Sequence, residues 1–398
     1  MKICVFGSKK STIKLINYLT KNKIKVDTLA LLDPAKSSLV QISGHDSKIS
    51  IIAKDLGINC FFPETYSLKS NKDKNFFRTK AFDIGLCTSW QRIIPKDVLS
   101  CFRFGVFGWH GSGFEFPNGR GRSPINWSIR LGLNVIFHNC FRYSDGVDDG
   151  DVYETRKFKI KKDDYIDDVQ EKAIEHICGS AIRLISDINN NKLKLSKQIN
   201  NPFISFPALN EKSGRLYPNY LNTSSALNIV RSCSHPFPGA YVALSEYDAI
   251  IRIWRAEILS TMPKKIQIDK GCLFYSDKDL FISFLDGVLK LTDFKIELKK
   301  NVNDKEAYLT RCRKLMLLEQ KFSVFQLIKV LGFMGLRYEN LHKKTKEDKV
   351  LRDTLYKEDT NIFAYYILKV SLICHYDEFF KWYSSICNFY WLRGRWRN

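Results

Sequence analysis

Short apolar runs alternate with helically spaced stretches through the first half of the chain. Lys2 to Phe6 is an apolar run that ends at Gly7-Ser8, and Thr12 to Leu19 follows with Ile13, Ile16 and Leu19 at helical spacing. Val26 to Leu32 is a second run, stopped by Asp33-Pro34. Ile51 to Leu56 reads as helix and Ile58 to Phe62 as a third strand. Phe82 to Cys87, Gly105 to Trp109, Val135 to Cys140 and Val152 to Phe158 are further strands. This alternation predicts an α/β fold with a doubly wound, mostly parallel sheet. Ligands on such sheets sit beyond the carboxyl ends of the strands. Gly7-Ser8 lacks the further glycines of a dinucleotide fingerprint. A long helix follows, in which Ile166, Val169, Ala173, Ile177, Ala181 and Leu184 share a face. Asp163, Asp164, Asp167 and Asp168 crowd its start, where the positive helix end favours carboxylates.

The pattern changes near Pro202. Ile250 to Trp254 is rich in β-formers, and Asp279 to Phe284 and Val288 to Asp293 flank Asp286-Gly287, a hairpin signal. This region reads as a small all-β domain. From residue 303 the spacing is helical again: Leu315, Leu318, Phe322, Phe325 and Lys329 form one stripe, and Ile362 to Phe380 another apolar stretch. The final FYWLRGRWRN mixes aromatics with arginines; it reads as a helical cap, with RNA stacking or a membrane surface as the alternative. The expected domains are 1–200, α/β; 201–302, small and β; and 303–398, a helical extension.

Composition changes this picture little. The 398 residues are 44% hydrophobic and 13% aromatic, which excludes a mostly disordered polymer. No apolar run reaches the roughly 18 residues of a spanning helix, and the first run reads as a buried strand rather than a secretory signal. The eleven Cys are scattered, without a C-x-x-C pair, as expected of a cytoplasmic protein. The net charge of +21 suits an anionic partner, but it comes with a general richness in Lys, Asn and Ile and without a consecutive basic block.

Among seven His, His110 stands out. It follows the apolar Gly105–Phe107 run and precedes a loop rich in Gly, Ser and Pro, so it falls where a doubly wound sheet puts its active site. A His that only braces the loop is the bland alternative. Asp145, Asp148, Asp149 and Asp151 lie in another strand-end loop. A His and a carboxylate meeting at two neighbouring strand ends form a general acid/base pair. The same Asp cluster otherwise reads as a solvated turn; too few partners accompany it for a metal site.

From Gly105 to Asp151 the chain resembles the folate-dependent formyltransferases, which include methionyl-tRNA formyltransferase, glycinamide ribonucleotide formyltransferase and the nucleotide-amino-sugar N-formyltransferases. His110 matches the histidine of that family's Asn-x-His, and Ser112 the loop serine. Arg120, Gly121 and Pro124 match Arg-Gly-x-x-Pro, and Trp127 the following Trp. His138 matches a later histidine, and Asp148-Asp149-Gly150 the Asp-x-Gly turn. The resemblance continues upstream through SWQRIIP (Ser89 to Pro95), where relatives hold the pterin against the backbone. Downstream, IVRSCSHPFPGAY (Ile229 to Tyr241) looks like the family's C-terminal domain of OB-like topology.

The resemblance implies a formyltransferase-type fold and N10-formyltetrahydrofolate as co-substrate, with no metal. It implies that His110 and Asp148 are catalytic. Trp90, Gln91, Arg92, Ile93, Ser112 and Asp145 would contact the folate. Gly108, Arg120, Gly121, Pro124 and His138 would bind the acceptor or position the loop. The sugar-modifying branch is the nearest, which makes the expected acceptor a nucleotide-linked amino sugar of a surface-polysaccharide precursor. An aminoacyl-tRNA, another small amine, or a weakened relative that only binds are the alternatives. Relatives are often homodimers. Two departures stand out. Gly108 replaces the family Asn, whose loss as an oxyanion donor costs about 10²–10³ in turnover. Backbone N–H groups of the loop, Asn118 or a water are the candidate replacements. The loop after His110 is also longer, with Phe114, Glu115 and Phe116 in place of Leu-Leu-Pro.

Overall fold

The computed structural model describes residues 1–33, 46, 48–198, 203–244, 249–259, 271–276, 279–298 and 315–316. The chain divides into two compact units. One comprises 1–125, 134–161 and 168–204; the other comprises 126–133, 162–167 and the residues from 205 onward.

The first unit is built on a seven-stranded sheet. Its strands are β1 (Ile3–Phe6), β2 (Thr28–Ala30), β3 (Asn59–Phe61), β4 (Ile84–Cys87), β5 (Gly105–Ser112), β7 (Val135–Arg142) and β8 (Val152–Lys159). A two-residue strand, β6 (Arg120–Gly121), lies in the loop after β5. The spatial order is β3-β2-β1-β4-β5-β7-β8; the pairs from β3 to β5 are parallel, and β5–β7 and β7–β8 are antiparallel. Helices cover both faces, so the central strands are apolar on both sides and read as continuous runs. On one face Ile3, Val5, Leu86 and Phe107 pack with α1 (Lys10–Lys21), α2 (Ile49–Asp55) and the inner stripe of α6 (Ile166–Asn189). On the other, Cys4, Phe6, Cys87 and Val106 pack with α3 (Asn71–Lys80) and α4 (Lys96–Leu99).

Two differences from the sequence reading concern this unit. β5 does not stop at Trp109 but runs through His110 to Ser112. The helix α3 carries only two aromatic side chains among ten residues and so shows no helical period. It is fixed instead by Ser70, whose Oγ accepts from Asp73 N (3.1 Å), and by fully buried Asp73, which accepts from Glu64 N and Thr65 N at 2.7 and 3.0 Å.

The second unit holds α5 (Pro124–Arg130) from Asn126 onward, the two-residue strand β9 (Ser205–Phe206), α7 (Thr223–Cys233) and an antiparallel sheet. The sheet comprises β10 (Ala240–Leu244), β11 (Ala249–Ile258), β12 (Cys272–Ser276), β13 (Asp279–Ser283), β14 (Val288–Leu298) and β15 (Leu315–Met316), ordered β10-β11-β14-β13-β12-β15. Ala226, Ile229 and Val230 of α7 join Val242, Ile251, Ile282 and Leu291 in one core, so the unit is not all-β as expected. The expected hairpin is present between β13 and β14. Its Asp286 also serves the helix: Oδ1 accepts from Thr223 N at 2.7 Å. Leu315, placed on a helical stripe by its spacing, pairs with β12 as strand together with Met316. The rest of the expected helical extension lies outside the described residues.

Candidate active site

Strand parity sorts the residues of β5. Val106, Gly108, His110 and Ser112 share one face; Phe107, Trp109 and Gly111 share the other. His110 is 7% exposed. Its Nε2 lies 2.7 Å from Gly119 O, an acceptor only, so Nε2 carries the proton in the neutral ring. Nδ1 faces Asp148 Oδ2 at 3.6 Å. The Phe116 ring packs 5.2 Å from the imidazole. The structure thus brings together the His and the carboxylate singled out in the sequence.

The carboxylate is held by one backbone N–H, and its loop by a side-chain frame. Gly121 N donates to Asp148 Oδ2 at 3.2 Å. Asp148 has a φ of 54°, a left-handed conformation that non-glycine residues adopt at a cost. Gln198 holds that backbone, its Nε2 donating to Asp148 O at 2.9 Å and Gly150 O at 2.8 Å. Arg120 in turn donates from Nη2 to Gln198 Oε1 at 2.6 Å, with its guanidinium 4.3 Å from the Phe203 ring centroid. Burial lowers the Arg120 guanidinium from its ordinary value, against which nearby Asp149 and Asp148 act. Arg120 is therefore part of the frame that positions the Asp148 loop.

The segment after β4 wraps Tyr66. Trp90 is buried 4.7 Å from the Tyr66 ring, Gln91 N donates to Tyr66 Oη at 2.9 Å, and the Arg92 guanidinium lies 5.3 Å over the same ring. Ile93 is 60% exposed. These four residues gather at the carboxyl end of β4, the strand parallel to β5. Pro124 opens α5, a position where the missing N–H costs nothing.

Several expectations are corrected. His138 pairs with Gly111 in register, so it lies on the sheet face opposite His110, with its ring 6.0 Å from His176 of α6. Burial, then the neighbouring His176 and His110, push His138 down to about 3, which leaves it neutral. Ser112 is fully buried, and its Oγ accepts from Phe114 N at 3.3 Å; as placed it braces the loop rather than facing a ligand. Asp145 is exposed at the rim, paired with Lys96 at 3.0 Å. Asn118, a candidate replacement for the missing donor at Gly108, is anchored through its Oδ1, which accepts from Ile204 N at 3.0 Å; this bond does not engage its amide donor. Among the described residues no group of His, Cys, Asp or Glu is arranged to hold a metal ion, and no helix is long and apolar enough to cross a membrane. Gln198, Tyr66 and the Gly119 carbonyl carried no pattern in the sequence, whereas Phe116 was marked there as part of the lengthened loop. Each reaches the site through a loop whose course only the fold reveals.

Residues 1–178 match the model of the formyl transferase family. This part of the chain is similar to that family. A methionyl-tRNA formyltransferase of Prochlorococcus marinus is 25% identical over 194 residues, 49% of this chain; the chain spans only 58% of that relative's length. One from Rickettsia bellii is 23% identical over 306 residues, covering 77% of this chain and 95% of its own. Among solved structures, the sugar 3N-formyl transferase WlaRD, in the presence of dTDP and 5-N-formyl-THF, superposes with a TM-score of 0.53 at 16% identity, over 76% of this chain and 99% of its own. The last comparison establishes a shared fold. The formyl transferase domain accounts for β1 through the middle of α6, and thus for His110, Asp148 and the segment around Tyr66.

Proposed function

We propose that the chain transfers a formyl group from N10-formyltetrahydrofolate to the amino group of a nucleotide-linked amino sugar. The observation that carries this reading is the approach of His110 Nδ1 to Asp148 Oδ2 at 3.6 Å within a formyl transferase domain. The acceptor amine must be neutral to attack the formyl carbon, and the folate N10 must gain a proton to leave. Because Nε2–H is held by Gly119 O, the proton His110 takes from the amine lands on Nδ1, beside Asp148. Asp148 stabilises the imidazolium, which then passes that proton to N10. The new bond joins the amine nitrogen to the formyl carbon, the bond from that carbon to N10 breaks, and His110 returns to its starting state. Burial of the imidazole keeps bulk water from the transfer.

The residues around Tyr66 fit a folate. Trp90 carries a buried indole N–H with no partner among the described residues, a donor open to a ligand oxygen. Two features support the sugar acceptor. Burial, then the field of Arg122, lowers the ammonium of Lys9, at the start of α1, from its ordinary value. Two cations within each other's field suit the phosphates of a nucleotide. The fold is also shared with a sugar 3N-formyl transferase. A second reading, formylation of an aminoacyl-tRNA, is favoured by the names of the sequence relatives and by the net charge of +21.

The test is incubation with N10-formyltetrahydrofolate and, separately, nucleotide 3- and 4-amino sugars and charged tRNA, read by mass spectrometry. A formyl gain on a sugar supports the first reading. Gain only on tRNA, with binding that weakens steeply as salt rises, replaces it by the second. Folate binding without transfer to any acceptor overturns both and leaves a binding protein.

A further inference from the structure

The space above Gly108, on the face of β5 that carries His110, is filled from the end of β7. A Cβ built on Gly108 would stand 2.3 Å from both Cε1 and the hydroxyl oxygen of Tyr143. Only glycine at 108 admits that ring, and the Asn of the family pattern has no room beside it. The sheet delivers the ring there: Tyr143 N donates to Val106 O at 2.7 Å, one step beyond the last β5–β7 pair, Phe107 with Arg142. Gly108 in turn pairs with Cys87 of β4, and Cys87 and Tyr143 pack in one apolar cluster. Ring centroids run from Tyr143 to Phe141 (5.2 Å), to Phe116 (5.6 Å), to His110 (5.2 Å). Successive side chains on one strand face stand about 6–7 Å apart, so the residues at 108 and 110 are neighbours on the face that carries the site.

Acyl transfer needs, besides a proton carrier, a donor aimed at the oxygen that gains charge. We propose that the Tyr143 hydroxyl is that donor, aimed at the formyl oxygen when the folate is bound. The inference rests on the formyl-transfer reading. A hydrogen bond to a developing oxyanion is stronger than one to a neutral carbonyl oxygen, so the contact favours the charged state. Burial, then Cys87 and Asp148, holds the phenol well above its ordinary value, so its proton stays in place throughout and it acts as a donor, not a base.

The test uses the full chain and a stable donor analogue, 10-formyl-5,8-dideazafolate labelled with ¹³C at the formyl carbon. In the wild-type protein the formyl C=O stretch should fall on binding, and in Tyr143→Phe it should return toward the free-ligand value while binding persists. In turnover, Tyr143→Phe should lower kcat by about 10²-fold. KM for the donor should move by less than about threefold, since the lost contact strengthens only in the transition state. The shape of the pH profile should be kept, because His110 and Asp148 are intact. Equal C=O shifts, or equal kcat, overturn the proposal and leave formyl transfer standing. Failure of the wild-type protein to bind the analogue overturns the functional reading and this inference together. Gly108→Asn alone should lose activity by driving its amide into the ring, and Gly108→Asn with Tyr143→Ala should recover part of it. A double variant no better than Gly108→Asn counts against the exchange of one donor for the other.

Discussion

His138→Leu should make the protein less sensitive to acid. His138 is 4% exposed, and burial is the first cause of its low proton affinity, followed by His176 on α6 and His110 on β5; Glu154 on β8 acts the other way. In the unfolded chain a histidine titrates near 6.5, and in the fold this one titrates at about 3. Between these values the unfolded state binds more protons, so stability rises with pH and is lost as pH falls from 6.5 toward 3. The loss attributable to His138 is about 2 kcal/mol at pH 5 and about 3 kcal/mol at pH 4, at about 1.4 kcal/mol per unit. Burial and then Arg183 lower His176 too, so the comparison of variant with wild type, rather than either slope alone, isolates His138. Urea unfolding at pH 7.5, 6, 5 and 4 reads the effect. Similar stability at pH 7.5 with a shallower acid slope in the variant is expected. Parallel slopes would refute the reasoning, because they would mean that His138 is protonated in the fold at little cost.

Three further outcomes are expected. Asp148→Asn keeps the shape of the loop but removes the charge facing His110 Nδ1; kcat should fall by about 10²–10⁴ with the donor KM little changed, and near-wild-type turnover would rule out the pairing as the proton device. Gln198→Ala leaves the Asp148 and Gly150 carbonyls and the Arg120 guanidinium short of a partner; a stability loss of about 1–3 kcal/mol in urea, with a lower kcat, is expected, and unchanged kcat would show that the loop holds itself. Asp73→Ala strips acceptors from Glu64 N and Thr65 N and should cost about 3–5 kcal/mol by the same measurement, against no more than about 1 kcal/mol if α3 is held by its two phenylalanines alone.

The parallel part of the fold was legible because strands buried on both faces leave continuous apolar runs. Ile3–Phe6 and Ile84–Cys87 are buried throughout, as strands covered on both faces require. Helix α3 was not legible, because a buried carboxylate and not an apolar stripe fixes it. The end of β5 was misjudged for a related reason: His110, Gly111 and Ser112 look like a loop by composition, yet pairing with Asn139, His138 and Phe137 satisfies their backbones as strand. Of the site, His110 and Asp148 were readable from type and position. Gln198 was not, since a single glutamine after a polar loop has no periodic signature. The role of Gly108 was readable only as an absence. The structure turns it into a fit, because the ring of Tyr143 occupies what the missing side chain leaves.

Which of the two histidines faces Asp148 is decided by register. His110 opposes Asn139 and His138 opposes Gly111, so the two rings sit on opposite faces of the same strand pair. A slip of one residue along β7 would exchange its faces, carrying His138 to the side of Asp148 and Phe141 into the packing against α6. Local bonds oppose that slip. Asn139 Nδ2 reaches His110 O at 3.4 Å while its Oδ1 accepts from Thr155 Oγ1 at 2.7 Å, tying three strands at one level. Arg142 N donates to Asp151 O at 2.8 Å and Tyr143 N to Val106 O at 2.7 Å, which pins the end of β7 where the Asp148 loop departs. The faces then do different work with the same side chain. On one, an acceptor stands at each ring nitrogen, and a proton gained there is shared with a carboxylate. On the other, burial and a second imidazole keep the ring neutral, and it serves as packing. Which imidazole faces the carboxylate therefore depends on a backbone ladder as much as on residue type.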